Sequence, residues 1–247
     1  MKLLIDAGNT RLKSALWDGR RLAVLAAATH GGATDNVDFD ALWKDAPAVS
    51  AVFVASVAGA GFAGRLLRFL QRRFGIAPAQ LASPASACGV RNAYAQPERL
   101  GVDRFLGLVA LHAAAARPYV LASCGTALTL DALGADGAHL GGLICASPPL
   151  MLDALLGGTA RLARPQDARV VDLADNTADA IESGVWLAGA ALVERFLARA
   201  AARLGAAPEL VLTGGGAGRL GALLEPPYRI DAELVLRGLA VYADSGG

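Results

Sequence analysis

One short pattern of residues occurs twice in the chain and limits the folds that it can adopt. In the first copy, residues 3–10 (Leu-Leu-Ile-Asp-Ala-Gly-Asn-Thr) form an apolar run that ends in a small polar loop with one glycine. In the second copy, residues 119–126 (Tyr-Val-Leu-Ala-Ser-Cys-Gly-Thr) do the same. After each loop an alternating stretch leads to an Asp-Gly pair, at 18–19 and at 136–137, which is a strong signal for a hairpin turn. Each half therefore predicts a strand, a tight glycine loop, a second strand, a hairpin turn and a third strand.

The repeated pattern predicts a duplicated α/β fold. Strand meanders followed by helices fit the duplicated ribonuclease-H-like layout of the actin, hexokinase and Hsc70 superfamily, whereas a plain doubly wound sheet alternates strand and helix from its first element. We expect two half-domains, residues 1–117 and 118–247, divided where Pro118 follows a long predicted helix. Two glycine loops facing each other across a nucleotide cleft would hold a polyphosphate from two sides.

The composition narrows the classes of function. Hydrophobic residues make up 54% of the chain and charged residues 18%, which fits a globular enzyme and argues against disorder. The formal net charge is +1 without a basic block, so we expect no nucleic-acid partner. The three cysteines lie far apart, which favours a reducing compartment. Because the chain shows neither a signal-peptide pattern nor an apolar run of about eighteen residues, we expect a cytoplasmic protein with no membrane span.

Asp6 follows the first predicted strand and precedes the first glycine loop. In a functional interpretation its carboxylate holds Mg²⁺ through water, while the amides of residues 8–10 contact phosphate oxygens, because amides of a glycine loop form an anion-binding concavity. The alternative is a β-turn in which Asp6 and Asn9 satisfy local backbone groups. The second copy of the loop favours the functional interpretation. Lys13, on the following strand, either reaches a phosphate or is a solvated lysine.

Asp103 lies where a long helix is predicted to begin. Its spacing favours an N-cap aspartate, which satisfies N–H groups of the first helical turn. The alternative is a general base that takes a proton from a substrate hydroxyl, with Arg104 binding a carboxylate or phosphate oxygen. In the second glycine loop, Thr126 would contact phosphate through its hydroxyl and amide. Ser123 occupies the strand position that Asp6 has in the first copy.

Residues 216–221 (Gly-Ala-Gly-Arg-Leu-Gly) match the GxGxxG pattern of dinucleotide-binding sites. That fingerprint normally lies in the first βαβ unit, whereas this match lies near the end of the chain. A strand that leads into residues 213–215 (Thr-Gly-Gly) instead suits a close approach of the backbone to an adenosine. The adenosine interpretation is therefore preferred to NAD binding. The three histidines have no metal-site spacing.

Six segments occur in one order along the chain: residues 6–10, 92–94, 100–104, 125–127, 141–144 and 213–215. Together they resemble the type III pantothenate kinase family, also called the Bvg accessory factor family, over essentially the whole chain. The Gly-x-Asp-Arg segment at 101–104 is the most specific part. The resemblance implies an actin-type kinase fold, a homodimer with substrate sites near the subunit interface, and phosphorylation of pantothenate by ATP, the first step of coenzyme A synthesis.

The resemblance also implies roles for single residues. Asp103 becomes the catalytic base, which reverses the N-cap preference, although both roles could hold at once. The ATP-binding residues implied by the resemblance are Asp6, Ala7, Gly8, Asn9, Thr10, Arg11, Leu12, Lys13 and Thr126. The pantothenate-binding residues implied by it are Tyr94, Gly101, Val102, Asp103, Arg104 and Thr177. Asp6 would hold Mg²⁺ through water.

Two departures from the family pattern lie near the expected site. Ser123 stands where the family usually has an aspartate that helps to bind an activating monovalent cation, K⁺ or ammonium, so we expect weaker or altered cation dependence. Residues 146–149 (Ala-Ser-Pro-Pro) replace a Pro-Gly pair, which affects the shape of the pocket. These departures motivate an alternative: a nucleotide- or pantothenate-binding regulatory protein with little catalysis. A phosphohydrolase of the same fold would use water as the acceptor.

Overall fold

The computed structural model describes residues 1–30, 37–159, 162–164 and 166–246. The elements of the first half of the chain are β1 (Lys2–Ala7), β2 (Arg11–Trp17), β3 (Leu22–Thr29), α1 (Phe39–Trp43), β4 (Ala51–Ser56), α2 (Ala60–Phe74), β5 (Ala79–Leu81), β6 (Ser86–Ala87), β7 (Val90–Arg91), a 3₁₀ turn (Pro97–Arg99) and α3 (Val102–Ala114). Those of the second half are β8 (Tyr119–Cys124), β9 (Ala127–Leu133), β10 (His139–Ala146), α4 (Pro148–Gly157), α5 (Thr177–Leu204), β11 (Glu209–Thr213), α6 (Ala217–Gly221), β12 (Tyr228–Ile230) and α7 (Leu234–Asp244).

The described strands include two five-stranded sheets with the same topology. The first sheet has the order β3-β2-β1-β4-β5, and the second has the order β10-β9-β8-β11-β12. In the first, β1 is antiparallel to β2 and parallel to β4, which is parallel to β5. In the second, β8 is antiparallel to β9 and parallel to β11, which is parallel to β12. The two sheets thus have the duplicated ribonuclease-H-like layout that the repeated pattern predicts.

The described part of the chain divides into two compact units. The first unit contains residues 1–116, 136–139 and 233–247, and the second contains residues 117–135 and 140–232. The turn at the predicted Asp136-Gly137 hairpin and the last helix therefore belong to the first unit. The sequence-based boundary between residues 117 and 118 stays a prediction.

In the first unit, β1 is buried on both of its faces. Leu3 and Ile5 pack with the apolar side of α2, while Leu4 points to the opposite face and packs with residues of α3 and α7. This alternation follows from the two-residue repeat of a strand. Helices α3 and α7 lie so close together that a Cβ added at Gly238 would overlap with the backbone of Leu106. Buried neighbours on both faces hold the end of β1, where Asp6 lies, in a fixed position.

In the second unit, the first strand and the long helix form the core. Val120 and Ala122 of β8 pack in one cluster with Trp186 and Val193 of α5. Helix α5 begins directly after its N-cap, Asn176, whose side chain accepts a hydrogen bond from the N–H of Asp179. The described residues contain no helix with the length and apolar content required to cross a membrane.

The predicted end of the long helix α3 at residue 117 is wrong. The helix ends at Ala114, and Ala115 is extended with φ −164° and ψ 142°. Since a proline disfavours the helical conformation in the residue before it, Pro118 excludes residue 117 from the helix. Residues 115 and 116 are not helical either.

Candidate active site

Asp6 lies at the end of β1, in register with Lys13 on β2 and Ala55 on β4. Its side chain is partly exposed, and the three residues before it are fully buried. Loss of solvent around the carboxyl and the nearby charge of Asp103 raise the pKa of Asp6 to about 7, although the charge of Lys13 acts in the opposite direction. A nearby negative charge disfavours the ionised form of the Asp6 carboxyl, and a bound cation would favour it again.

The turn after Asp6 is tight. The N–H of Gly8 donates a hydrogen bond to the carbonyl oxygen of Arg11 at 3.0 Å. A Cβ added at Gly8 would lie 3.2 Å from the same oxygen, so a side chain there would strain the turn. Asn9 and Thr10, which connect the two strands, are exposed. The Gly8 amide is thus used within the turn, and the phosphate contacts of the loop stay a prediction.

The second glycine loop repeats this arrangement in the second unit. The N–H of Gly125 donates to the carbonyl oxygen of Ala127 at 2.9 Å, and Thr126 is exposed. The hydroxyl of Ser147, which is buried, donates to the carbonyl oxygen of Thr126 at 2.9 Å. Ser147 belongs to the segment that departs from the family pattern. This segment therefore forms a hydrogen bond with the backbone of the second loop.

The N-cap interpretation of Asp103 is wrong. The N-cap of α3 is Gly101, with φ −53° and ψ 130°, and Asp103 is the second helical residue. The Oδ1 atom of Asp103 accepts a hydrogen bond from the N–H of Arg104 at 2.9 Å and lies over Gly101. A Cβ added at Gly101 would be 2.6 Å from that oxygen. Asp103 therefore lies in the first turn of the helix, and its carboxylate occupies the space that the missing Cβ leaves.

Arg104 and Tyr94 contact each other. Arg104 is only 5% exposed. Its Nη1 atom donates to the Tyr94 hydroxyl at 3.2 Å, and its guanidinium carbon is 6.0 Å from the Tyr94 ring centroid. A buried guanidinium beside a tyrosine hydroxyl is well suited to bind a carboxylate or phosphate oxygen. The structure thus brings together two residues that the resemblance assigns to one pocket.

Two residues around Tyr94 were missed as site residues by the sequence reasoning. The Asn92 side chain donates to the carbonyl oxygens of Pro84 and Pro97 and accepts from the Tyr94 N–H at 3.0 Å. The His139 ring stacks on the Tyr94 ring, with 6.1 Å between centroids. Asn92 appeared only as part of a motif. His139 had no signal beyond its position two residues after an Asp-Gly turn.

Ser123 lies in a row of hydroxyl-bearing residues. On β8 it is in register with Thr129 on β9 and with Thr213 on β11. Side chains at paired positions of adjacent strands lie on one face of the sheet. In the second unit, the strand position that corresponds to Asp6 and its two paired neighbours therefore carry neutral hydroxyl oxygens instead of a carboxylate.

The glycines after β11 have a packing role. Gly214 has φ +90°, and a Cβ there would overlap with the backbone of Cys124. A Cβ at Gly216 would lie 2.6 Å from the Cys124 sulfur, and the Gly216 N–H donates to the Cys124 carbonyl at 2.9 Å. Close packing on β8 thus accounts for these glycines without a dinucleotide. The approach of an adenosine to this segment stays a prediction.

Thr177 is the first residue of α5 and is exposed. It borders an open groove of about 590 Å³ in the second unit, together with Leu155, Ile181 and Val185. This volume lies within the range of small-molecule sites, roughly 300–1,000 Å³. The role of Thr177 in binding pantothenate stays a prediction.

The described residues contain no group of three or more His, Cys, Asp or Glu side chains that could hold a metal ion. Mg²⁺ does not need such a group, because it binds through one or two carboxylates, waters and the phosphates of its substrate. The paired negative charges of Asp6 and Asp103 fit this pattern. The assignment of Asp6 to Mg²⁺ stays a prediction.

Comparison with known proteins gives consistent results. The family profile described as type III pantothenate kinase matches residues 2–199. A type III pantothenate kinase of Xanthomonas campestris pv. campestris is 45% identical over 97% of this chain and 96% of its own length. A protein from Campylobacter jejuni named for the Baf family of transcriptional activators has a similar structure, with a TM-score of 0.64, 19% identity and coverage of 99% and 98% of the two chains.

A second solved structure supports the fold class. A protein from Sinorhizobium meliloti named for 2-dehydro-3-deoxygalactonokinase has a TM-score of 0.59, 16% identity and coverage of 98% of each chain. At these identities, the structural similarity shows the fold alone. The predicted duplicated ribonuclease-H-like fold is confirmed.

Proposed function

Since the chain belongs to the type III pantothenate kinase family, we propose that it transfers the γ-phosphate of ATP to pantothenate and forms 4'-phosphopantothenate, the first step of coenzyme A biosynthesis. One structural observation supports the proposal most strongly. Asp6 at the end of β1 and Asp103 in the first turn of α3 are carboxylates of the same unit, and Asp103 precedes Arg104, whose buried guanidinium donates to the Tyr94 hydroxyl at 3.2 Å. A kinase needs this combination of a carboxylate for the metal and a carboxylate for the substrate hydroxyl.

In the proposed mechanism, Asp103 accepts the proton of the primary hydroxyl of pantothenate. The hydroxyl oxygen then attacks the γ-phosphorus in line, the bond from this phosphorus to the bridging oxygen breaks, and ADP leaves. Asp6 would hold Mg²⁺, which would supply positive charge to balance the phosphate oxygens. Arg104, with the Tyr94 hydroxyl beside it, binds the carboxylate of pantothenate.

Each glycine loop would contribute phosphate contacts from its own unit. In the first loop, Asn9 and Thr10 are exposed and Lys13 follows on β2. In the second loop, Thr126 is exposed and its carbonyl is held by Ser147. Positioning and charge stabilisation by these groups would supply most of the rate enhancement, as in other phosphoryl transfers.

We also propose a weakened monovalent-cation site at Ser123. The hydroxyls at positions 123, 129 and 213 lie in one row across three strands. Neutral oxygens coordinate K⁺ or ammonium without the attraction of a carboxylate. Turnover should therefore respond less to K⁺ than it does in a Ser123→Asp variant. An equal response of the two proteins would contradict this assignment.

A homodimer is proposed on the basis of exposed apolar residues in two consecutive elements. Leu143 and Ile144 of β10 are exposed, with Ile144 at 63%, as are Leu150 and Leu155 of α4. A contiguous patch formed by such side chains would be typical of a protein interface. Analytical ultracentrifugation should give a dimer that Ile144→Asp weakens, and a monomer at all concentrations would contradict the proposal. The cytoplasmic location stays a prediction.

The test is an assay of the purified protein with ATP and Mg²⁺, in which ADP and phosphorylated product are both measured with and without pantothenate. The proposal predicts ADP formation that depends on pantothenate, matched by 4'-phosphopantothenate. Equal ADP formation without pantothenate would instead identify a phosphohydrolase. Binding of ATP or pantothenate by folded protein without turnover, in K⁺ or ammonium, would identify the regulatory alternative.

A further inference from the structure

We propose that His139 is a positioning residue for the pantothenate pocket: its ring holds Tyr94 against Arg104. This inference rests on the proposed function, because it assigns a role to a residue next to two substrate-binding residues. Its structural basis lies entirely within the first compact unit, to which the hairpin turn at residues 136–139 belongs.

The turn that carries His139 is fixed to β7. The N–H of Arg91 donates to the Gly137 carbonyl at 2.9 Å, and the Arg91 guanidinium pairs with the Asp136 carboxylate at 2.6 Å. Gly137 has φ +78°, and a Cβ there would overlap with the carbonyl of Gly89. The turn therefore packs directly on the strand that leads, three residues after Arg91, to Tyr94.

His139 contacts the segment that ends in Tyr94 in two ways. Its Nδ1 atom accepts a hydrogen bond from the Ala93 N–H at 3.4 Å, so the ring faces the backbone just before Tyr94. The two rings are nearly parallel, with an interplanar angle of 19° and 6.1 Å between centroids. His139 is only 4% exposed, so neighbouring groups restrict the rotation of its ring.

Tyr94 is held from another direction by Arg104. The guanidinium donates to the hydroxyl and lies 6.0 Å from the ring centroid. His139 and Arg104 thus both contact Tyr94, which lies between them in a chain of contacts. Removal of the His139 ring would allow the Tyr94 ring to turn, and the hydroxyl would no longer orient the guanidinium that receives the substrate.

The consequence should appear in substrate binding. Tyr94 and Arg104 contact the substrate carboxylate, which does not react, so their contribution is equal in the ground state and in the transition state. Loss of such an interaction raises KM and leaves kcat unchanged. Because an aromatic pair contributes about 0.5–1.5 kcal/mol, His139→Ala should raise the KM for pantothenate roughly threefold to tenfold. The KM for ATP should not change.

The experiment compares His139→Ala, His139→Phe and Phe39→Ala with the wild-type protein. His139→Phe keeps a ring of similar size and should return the pantothenate KM to within about twofold of wild type. Phe39→Ala is a matched control, because Phe39 lies in a separate aromatic cluster with Trp43 and Phe69 of the same unit. It should lower the melting temperature without a change in either KM. Thermal melting of each variant separates loss of folding from loss of binding.

A double-mutant cycle tests whether His139 acts through Tyr94. In a Tyr94→Ala background, His139→Ala should cause no further rise in the pantothenate KM, because the residue that it positions is gone. Independent, multiplicative effects of the two substitutions would overturn the inference. An unchanged pantothenate KM in folded His139→Ala, or a rise in both KM values, would overturn it too. If the wild-type protein itself fails to phosphorylate pantothenate, the proposed function fails instead.

Discussion

Replacing Gly101 with alanine should damage catalysis while leaving the fold almost intact. The added Cβ would lie 2.6 Å from Oδ1 of Asp103, so the carboxylate must move by about 0.8 Å to reach an ordinary contact of 3.4 Å. A displacement of about 1 Å at a reacting group can cost a factor of roughly 10² in rate. We therefore expect kcat of Gly101→Ala to fall about 10- to 100-fold.

The stability of this variant should change little. Gly101 has φ −53°, which alanine adopts without strain, and the atom that must yield is the end of a flexible side chain. The lower entropy of the unfolded chain stabilises Gly→Ala variants by about 0.4–1 kcal/mol, while alanine is a poorer N-cap by about the same amount. The free energy of unfolding in urea should therefore stay within about 1 kcal/mol of the wild-type value.

Gly59→Ala is the matched control for this experiment. Gly59 is the N-cap of α2, with φ −55° and ψ 147°, and a Cβ added there has no neighbour within 4 Å among the described atoms. It should keep both stability and kcat. Steady-state phosphorylation of pantothenate measures the effect. If kcat of Gly101→Ala stays within about twofold of wild type, the position assigned to the Asp103 carboxylate in catalysis is refuted.

Three further predictions concern the loops and the stability of the protein. Gly137→Ala should lower the free energy of unfolding by at least about 2 kcal/mol in urea titrations, since alanine is strained at φ +78° and has no room there; an unchanged midpoint would contradict the packing of this turn. Ser147→Ala should raise the KM for ATP by releasing the carbonyl of Thr126, and would cost about 1 kcal/mol of stability; unchanged ATP kinetics would contradict a role of this hydrogen bond in nucleotide binding. Hydrogen bonds from the backbone N–H of Arg169, and then from a neighbouring side-chain amide, lower the pKa of Asp179 below its usual 3.8. The ionised carboxylate of Asp179 therefore contributes its full stabilisation above the unfolded-state pKa of 3.8. This stabilisation is lost as the pH falls through the lower pKa of the folded state. Asp179→Asn should therefore flatten the dependence of the unfolding free energy on pH below about 4. A wild-type slope in that variant would show that other carboxylates cause the acid destabilisation.

Much of the fold follows from local signals in the sequence. The two Asp-Gly pairs lie in the connections between the second and third strands of their sheets. Helix α5 begins and ends at residues with local signals, because Asn176 caps its start and Gly205, with φ +65°, ends it. These signals depend on residues within one or two turns, so a single sequence contains them. The two sheets have equivalent strand orders because each half of the chain repeats the same elements.

The details of the site depend on contacts between residues that are distant in sequence. The carboxylate of Asp103 lies over Gly101. This contact, rather than an N-cap role of Asp103, explains why residue 101 is a glycine. The stacking of His139 on Tyr94 requires the hairpin turn to pack on β7, which no periodicity indicates. Sequence reasoning therefore identified chemically important residues but not the neighbours that orient them.

The most direct test of the central claim is identification of the product of ATP, Mg²⁺ and pantothenate by mass spectrometry, with wild-type protein and with Asp103→Asn in parallel. The account predicts 4'-phosphopantothenate and ADP in equal amounts from the wild type. It predicts a large drop in turnover for Asp103→Asn, with ATP binding largely retained in calorimetry. No phosphorylated pantothenate from folded wild-type protein in K⁺ or ammonium would contradict the proposed activity, and near-normal turnover of the variant would contradict the role of Asp103 as the base.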